Sequence, residues 1–164
     1  MKEQTKERAG LVVATFLLVD SLVNLYWATG SIWPAPDPKT LSLAVLNANY
    51  SFAPQITIPL ACLSLCGALV MLARVHRLGK PGRLIPALLL QLGVLVVAAA
   101  LLVRGVVGIG WVLGLGANPK TPFYWLNLLI YTPACLLIFA AAVAAARSER
   151  SKGKLADLAQ QDTK

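Results

Sequence analysis

Four stretches of the chain, roughly residues 10–29, 55–74, 84–104 and 123–145, are almost unbroken runs of apolar side chains. Each is long enough to cross a hydrocarbon core, which takes roughly 20 residues of helix. The pattern predicts an all-α fold: an integral membrane bundle of four transmembrane helices. Composition agrees, since 57% of the residues are hydrophobic and 13% charged, whereas soluble domains run near a quarter charged. Mean hydropathy is +0.68. In a chain of 164 residues, four spans leave no room for a separate soluble domain. The predicted division is an N-terminal segment 1–9, a transmembrane domain 10–145 and a flexible tail 146–164.

The formal charge of +8 is distributed unevenly. Lys2, Lys6 and Arg8 precede the first span, Arg74, Arg77, Lys80 and Arg83 fill the link between the second and third, and Arg147, Arg150, Lys152, Lys154 and Lys164 follow the fourth. Only Lys39, Lys120 and Arg104 lie on or near the other side, so twelve of fifteen cations share one face of the membrane. That is the positive-inside pattern, and it predicts a multi-pass inner-membrane protein with both termini cytoplasmic. The basic excess therefore reads as an orientation signal and not as a nucleic-acid footprint; attraction to anionic headgroups is a by-product. The first span is expected to be retained, because "NLYWATGSIWP" is bulky and aromatic where a signal peptidase needs small residues.

The longer outer loop, roughly 30–54, is rich in proline and aromatics, which favours a segment folded across the outer mouth. Within it "TLSLAVLNAN" predicts a short interfacial helix with Thr40 as its cap. Asn49, Tyr50 and Ser51 form a glycosylation triplet, without meaning in a bacterium. The link "RVHRLGKPGR" reads as a tight basic reversal, and its His76 has no neighbours with which to hold a metal. "GVVGIGWVLGLGANPKTP" predicts a close-packed or re-entrant turn and contains no phosphate-binding fingerprint. Cys62, Cys66 and Cys135 all lie inside spans and offer no disulfide framework. No cofactor or metal is implied.

The polar residues inside the spans carry what functional information there is. Asp20, Asn24 and Trp27 share a face of the first helix; Tyr124, Asn127, Tyr131 and Cys135 share a face of the fourth; Pro59, Cys62 and Cys66 repeat the spacing on the second. Arg104 stands near the outer end of the third, above Ala100, Val97 and Gly93. An ionisable group in mid-membrane costs about 2.5–3.5 kcal/mol on insertion scales and normally faces the bundle interior, which is where Asp20 is expected. Counting helical rise places Arg104 about 15 Å above Asp20, so that Asn24, Asn127 and Tyr131 are its nearer partners.

"LYWATG", "LLVRG" and "IYTPACLL" in this order resemble the bacterial family catalogued as domain of unknown function 3995, over residues 13 to 143 or so. The resemblance implies a small four-helix membrane protein with no established activity, and recurrent residues at Tyr26, Trp27, Gly30, Arg104, Gly105, Tyr131, Pro133 and Cys135. It also implies that a histidine often stands at the place of Asn24 and an aspartate at that of Asn127. This chain would then lack two titratable groups of its relatives.

The leading expectation is a binding or accessory component with an outward-facing polar pocket formed by Asp20, Asn24, Trp27, Arg104, Asn127 and Tyr131, its partner a membrane lipid headgroup or small amphiphile. The alternatives are a small transporter using Asp20 for a proton or cation, then a membrane enzyme drawing on Asp20, Tyr131 or the thiols. Small residues such as Gly93, Ala98, Ala99 and Ala100 also suit a homo-oligomer or a partner membrane protein.

Overall fold

A computed structural model describes residues 3–48, 53–75, 86–116 and 118–146, and no strand occurs among them. The Asn49 triplet, His76 with the rest of the basic link, and the tail beyond 146 lie outside the described residues. Helix α1 is Glu3–Ala28, α2 Pro38–Leu46, α3 Pro54–Arg74 and α4 Ala87–Val112. Helix α5, Pro122–Ala146, is α-helical over Pro122–Leu126, π-helical over Asn127–Tyr131 and α-helical again over Thr132–Ala146. All but α2 are long and apolar enough to cross a membrane.

Local chemistry explains where these helices stop and start. Helix α1 ends at Ala28, and two residues on the chain turns at Gly30, whose φ of +88° suits a residue without Cβ and whose N–H donates to Trp27 O at 3.0 Å. Prolines open α2, α3 and α5 in the first helical turn, where a missing N–H costs nothing. The cap of α2 is Asp37, not Thr40: the carboxylate Oδ1 accepts the Thr40 N–H at 2.9 Å and Oδ2 accepts the Thr40 hydroxyl at 2.6 Å. A carboxylate accepts at a helix start more strongly than a hydroxyl, and Thr40 becomes its donor. The glycine-rich stretch also differs from expectation. Helix α4 runs on through Gly105, Gly108 and Gly110 to Val112, so the re-entrant turn shrinks to residues 113–121.

The four spans close into a ring in the order α1, α3, α4, α5, with α1 against α3 and α4 against α5 as the broad contacts and the α3–α4 seam the thinnest. Neighbours run antiparallel. A Cβ on Gly10 would stand 2.5 Å from Val75 Cγ1 and 3.7 Å from Ala145 Cβ, which brings the start of α1 to the ends of α3 and α5. Both described ends of the chain thus share one side, called the terminal side below; the end of α1, the start of α3, the end of α4 and the start of α5 lie on the opposite, distal side. Val13, Met71, Val94 and Ala142 are fully buried at the centre, among alanines that let the helices approach. On the terminal side Arg74, only 8% exposed, donates from Nη2 to Gln91 Oε1 at 3.2 Å and to Ala146 O at 3.3 Å. One side chain thereby joins α3 to α4 and α5.

Candidate functional site

Among the described residues, the densest polar cluster lies between the distal halves of α4 and α5. Two glycines let those helices meet: a Cβ on Gly105 would stand 2.6 Å from Leu136 Cδ2, and one on Gly108 would collide with the Thr132 hydroxyl. Asn127, fully buried, fills the remaining space and donates from Nδ2 to Gly108 O at 2.8 Å. Its Oδ1 accepts the Thr132 hydroxyl at 3.1 Å and Arg104 Nη1 at 3.2 Å. The π-helical turn helps set this geometry. Pro133 has no N–H, and its ring would press on the Leu129 carbonyl in a regular α-turn; the wider turn relieves that pressure, and the Thr132 N–H reaches back to Asn127 O.

The Arg104 guanidinium carbon lies 5.1 Å from the Trp111 ring centroid and 5.7 Å from that of Tyr131, both within cation–π range. Trp111 is itself held edge-on by Phe123, with centroids 5.0 Å apart. Among the described residues no carboxylate pairs with Arg104, and its one hydrogen bond goes to a neutral amide. A guanidinium carries five N–H donors in a planar fork, so most of the fork stays available.

The α1 members of the expected constellation are placed differently. Asp20 is exposed and not enclosed by the bundle; its Oδ2 accepts the Ser64 hydroxyl across the α1–α3 contact at 2.6 Å. It flanks the buried stripe of α1, because that stripe follows Ser21, which donates to Ala61 O at 2.8 Å. Asn24 is buried, yet its amide folds back onto Asp20 O at 2.9 Å and makes no bond to Arg104. Trp27 Nε1 donates to Trp33 O at 3.3 Å and anchors the first connection. Arg104, Asn127 and Tyr131 are therefore brought into one cluster, and Asp20, Asn24 and Trp27 are not part of it.

The offset between the two charges is also smaller than counting along isolated helices indicates. A Cβ on Gly67 would meet Leu17 Cδ1 at 3.1 Å and Val97 Cγ2 at 3.3 Å, so Leu17 and Val97 stand at one level. Arg104 lies seven residues beyond Val97 and Asp20 three beyond Leu17, a difference of about 6 Å in height. The count of 15 Å fails because helix ends do not lie at equal depths. On α3, Pro59, Cys62 and Cys66 are exposed and point away from the bundle; the facing residues are Thr57, Ala61 and Ala68. Cys135 is buried on α5, and its thiol lies within electrostatic range of both Arg104 and Asp20.

Sequence reasoning missed Trp111, Thr132, Gly108 and Ser64. Trp111 follows Arg104 by seven residues, two helical turns, which would have placed it on the same face had α4 been extended through the glycines. In comparisons with known proteins, residues 17–149 match the model of a family described as protein of unknown function (DUF3995). No curated protein and no solved structure matches the chain.

Proposed function

The chain belongs to this family of proteins of unknown function, DUF3995, and because membership brings no activity with it, we propose a function from the site itself. The protein is a multi-pass component of the cell inner membrane, its termini cytoplasmic and its distal side outward, that binds the anionic head of a lipid or another small amphiphile at Arg104. Asn127, braced by the Thr132 hydroxyl, holds one edge of the guanidinium, Tyr131 and Trp111 its faces, and the head takes the remaining donors. The orientation rests on the one-sided distribution of lysine and arginine.

The observation that carries this reading is a membrane-embedded guanidinium that is positioned by neutral groups and leaves most of its fork unspent. A cation kept for structure alone would be expected to meet a carboxylate or a set of carbonyls. Purified protein in neutral detergent, titrated with phosphatidylglycerol and followed by tryptophan fluorescence, tests it. Arg104→Gln is expected to weaken binding at least about tenfold, near 1.4 kcal/mol. Equal affinity in a variant with wild-type circular dichroism would remove the reading.

A further inference from the structure

The ring of spans is closed on its terminal half and parted on its distal half, along one seam. Where α3 and α4 touch, Val70 lies over Gly93, whose Cβ would stand 2.8 Å from Val70 Cγ1, and Gly67 receives Val97. Seven residues outward on the same two faces stand Leu63 and Ala100. Leu63 is 69% exposed and Ala100 is exposed as well, so two turns beyond their contact the helices no longer cover each other. A bundle that merely needed to stay closed would repeat the Val70–Gly93 fit at this level.

Two opposite charges stand in this distal half without neutralising each other, Asp20 on α1 beside α3 and Arg104 on α4. Among the described residues the Asp20 carboxylate accepts only the Ser64 hydroxyl, Ser64 lying three residues outward of Gly67 on α3, and no ion pair joins it to any of them. Arg104 lies seven residues beyond Val97 on α4, about 6 Å higher than Asp20, with its guanidinium led away toward Trp111. Either charge alone is costly in a membrane, and direct pairing would be the simplest remedy. Keeping them apart suits a molecule that carries both signs.

Building on the anion-binding reading above, we propose that the ligand is a zwitterionic aminophospholipid of the distal leaflet. Its phosphate meets Arg104, its ammonium meets Asp20, and its acyl chains leave sideways between Leu63 and Ala100. The parted seam favours a lipid over a free aminophosphate, because an apolar flank at this depth offers nothing to a water-soluble ligand.

The test uses the full-length chain in neutral detergent, titrated in parallel with phosphatidylethanolamine, phosphatidylglycerol and soluble phosphoethanolamine. The wild type is expected to prefer phosphatidylethanolamine over phosphatidylglycerol by about fivefold. Asp20→Asn should bring the two within about twofold, chiefly by weakening phosphatidylethanolamine, and Ala100→Trp should slow lipid association about tenfold with helix content retained. No headgroup preference in the wild type, or a preference that survives Asp20→Asn, overturns the zwitterion assignment while phosphatidylglycerol binding still stands. Phosphoethanolamine binding as tightly as the lipid overturns sideways access. Failure of both lipids to bind the wild type overturns the anion-binding reading beneath it.

Discussion

Gly108 is where one missing methyl group decides the geometry of the site. Its carbonyl accepts the buried Asn127 amide, and a Cβ there would strike the Thr132 side chain. Gly108→Ala should therefore push α4 and α5 apart and cost about 1–3 kcal/mol, read as a lower midpoint in a thermal melt of the detergent-solubilised protein. An unchanged midpoint would mean that Thr132 can rotate aside. Arg104, Asn127 and Tyr131 were legible in the sequence because a polar group in an apolar run stands out. Trp111 was not, since glycines at 105, 108 and 110 mark a loop in water but a close helix contact in a membrane. Asp20 misled for a related reason: insertion cost argues against lipid exposure, but does not distinguish an enclosed carboxylate from one bonded across a helix contact as Asp20 is to Ser64.

Two elements depend on a particular local device. The π-helical turn Asn127–Tyr131 rests on Pro133, and Pro133→Ala would supply the N–H that a regular turn requires. Tightening that turn by one residue rotates the preceding segment by about 100° and carries Asn127 away from Arg104. The expected result is a melting temperature at or above wild type with about tenfold weaker lipid binding. Unchanged binding would show that the turn survives without proline. Helix α2 depends on its Asp37 cap. Hydrogen bonds from the Thr40 hydroxyl and N–H, followed by weaker influences including Lys39, hold the Asp37 carboxyl below its ordinary 3.8. A depressed folded value gives stability that is complete above 3.8 and lost as pH falls through the lower folded value. Thr40 amide protection should thus be flat from about pH 5 to 8, decline only in strong acid, and lose that acid step in Asp37→Asn. Protection that declines near neutrality would refute this. The existence of α2 was readable from its apolar run, whereas the choice of cap was not, because both Asp37 and Thr40 are good N-cap residues.

At the scale of the molecule, the number of spans follows directly from apolar length, but their order around the ring is set by contacts no periodicity records. Gln91 is an isolated polar residue in the α4 run, and no spacing along the chain names its partner. It accepts from Arg74, which also reaches Ala146 O and so ties three helices on the terminal side. Arg74→Met keeps the apolar stem and removes the charged donor, with an expected loss of about 2–3 kcal/mol in equilibrium unfolding by denaturing detergent. A loss under about 0.5 kcal/mol, the level of an ordinary surface change, would make the clamp incidental.

The fit of Val70 over Gly93, with Leu17 and Val97 meeting at Gly67, forms a solid floor across the middle of the bundle. A molecule arriving from one monolayer can be held above that floor, but is offered no path to the opposite monolayer. On the proposed lipid reading, such a floor fits a sampler of one leaflet's lipids, whereas a flippase would require it to give way.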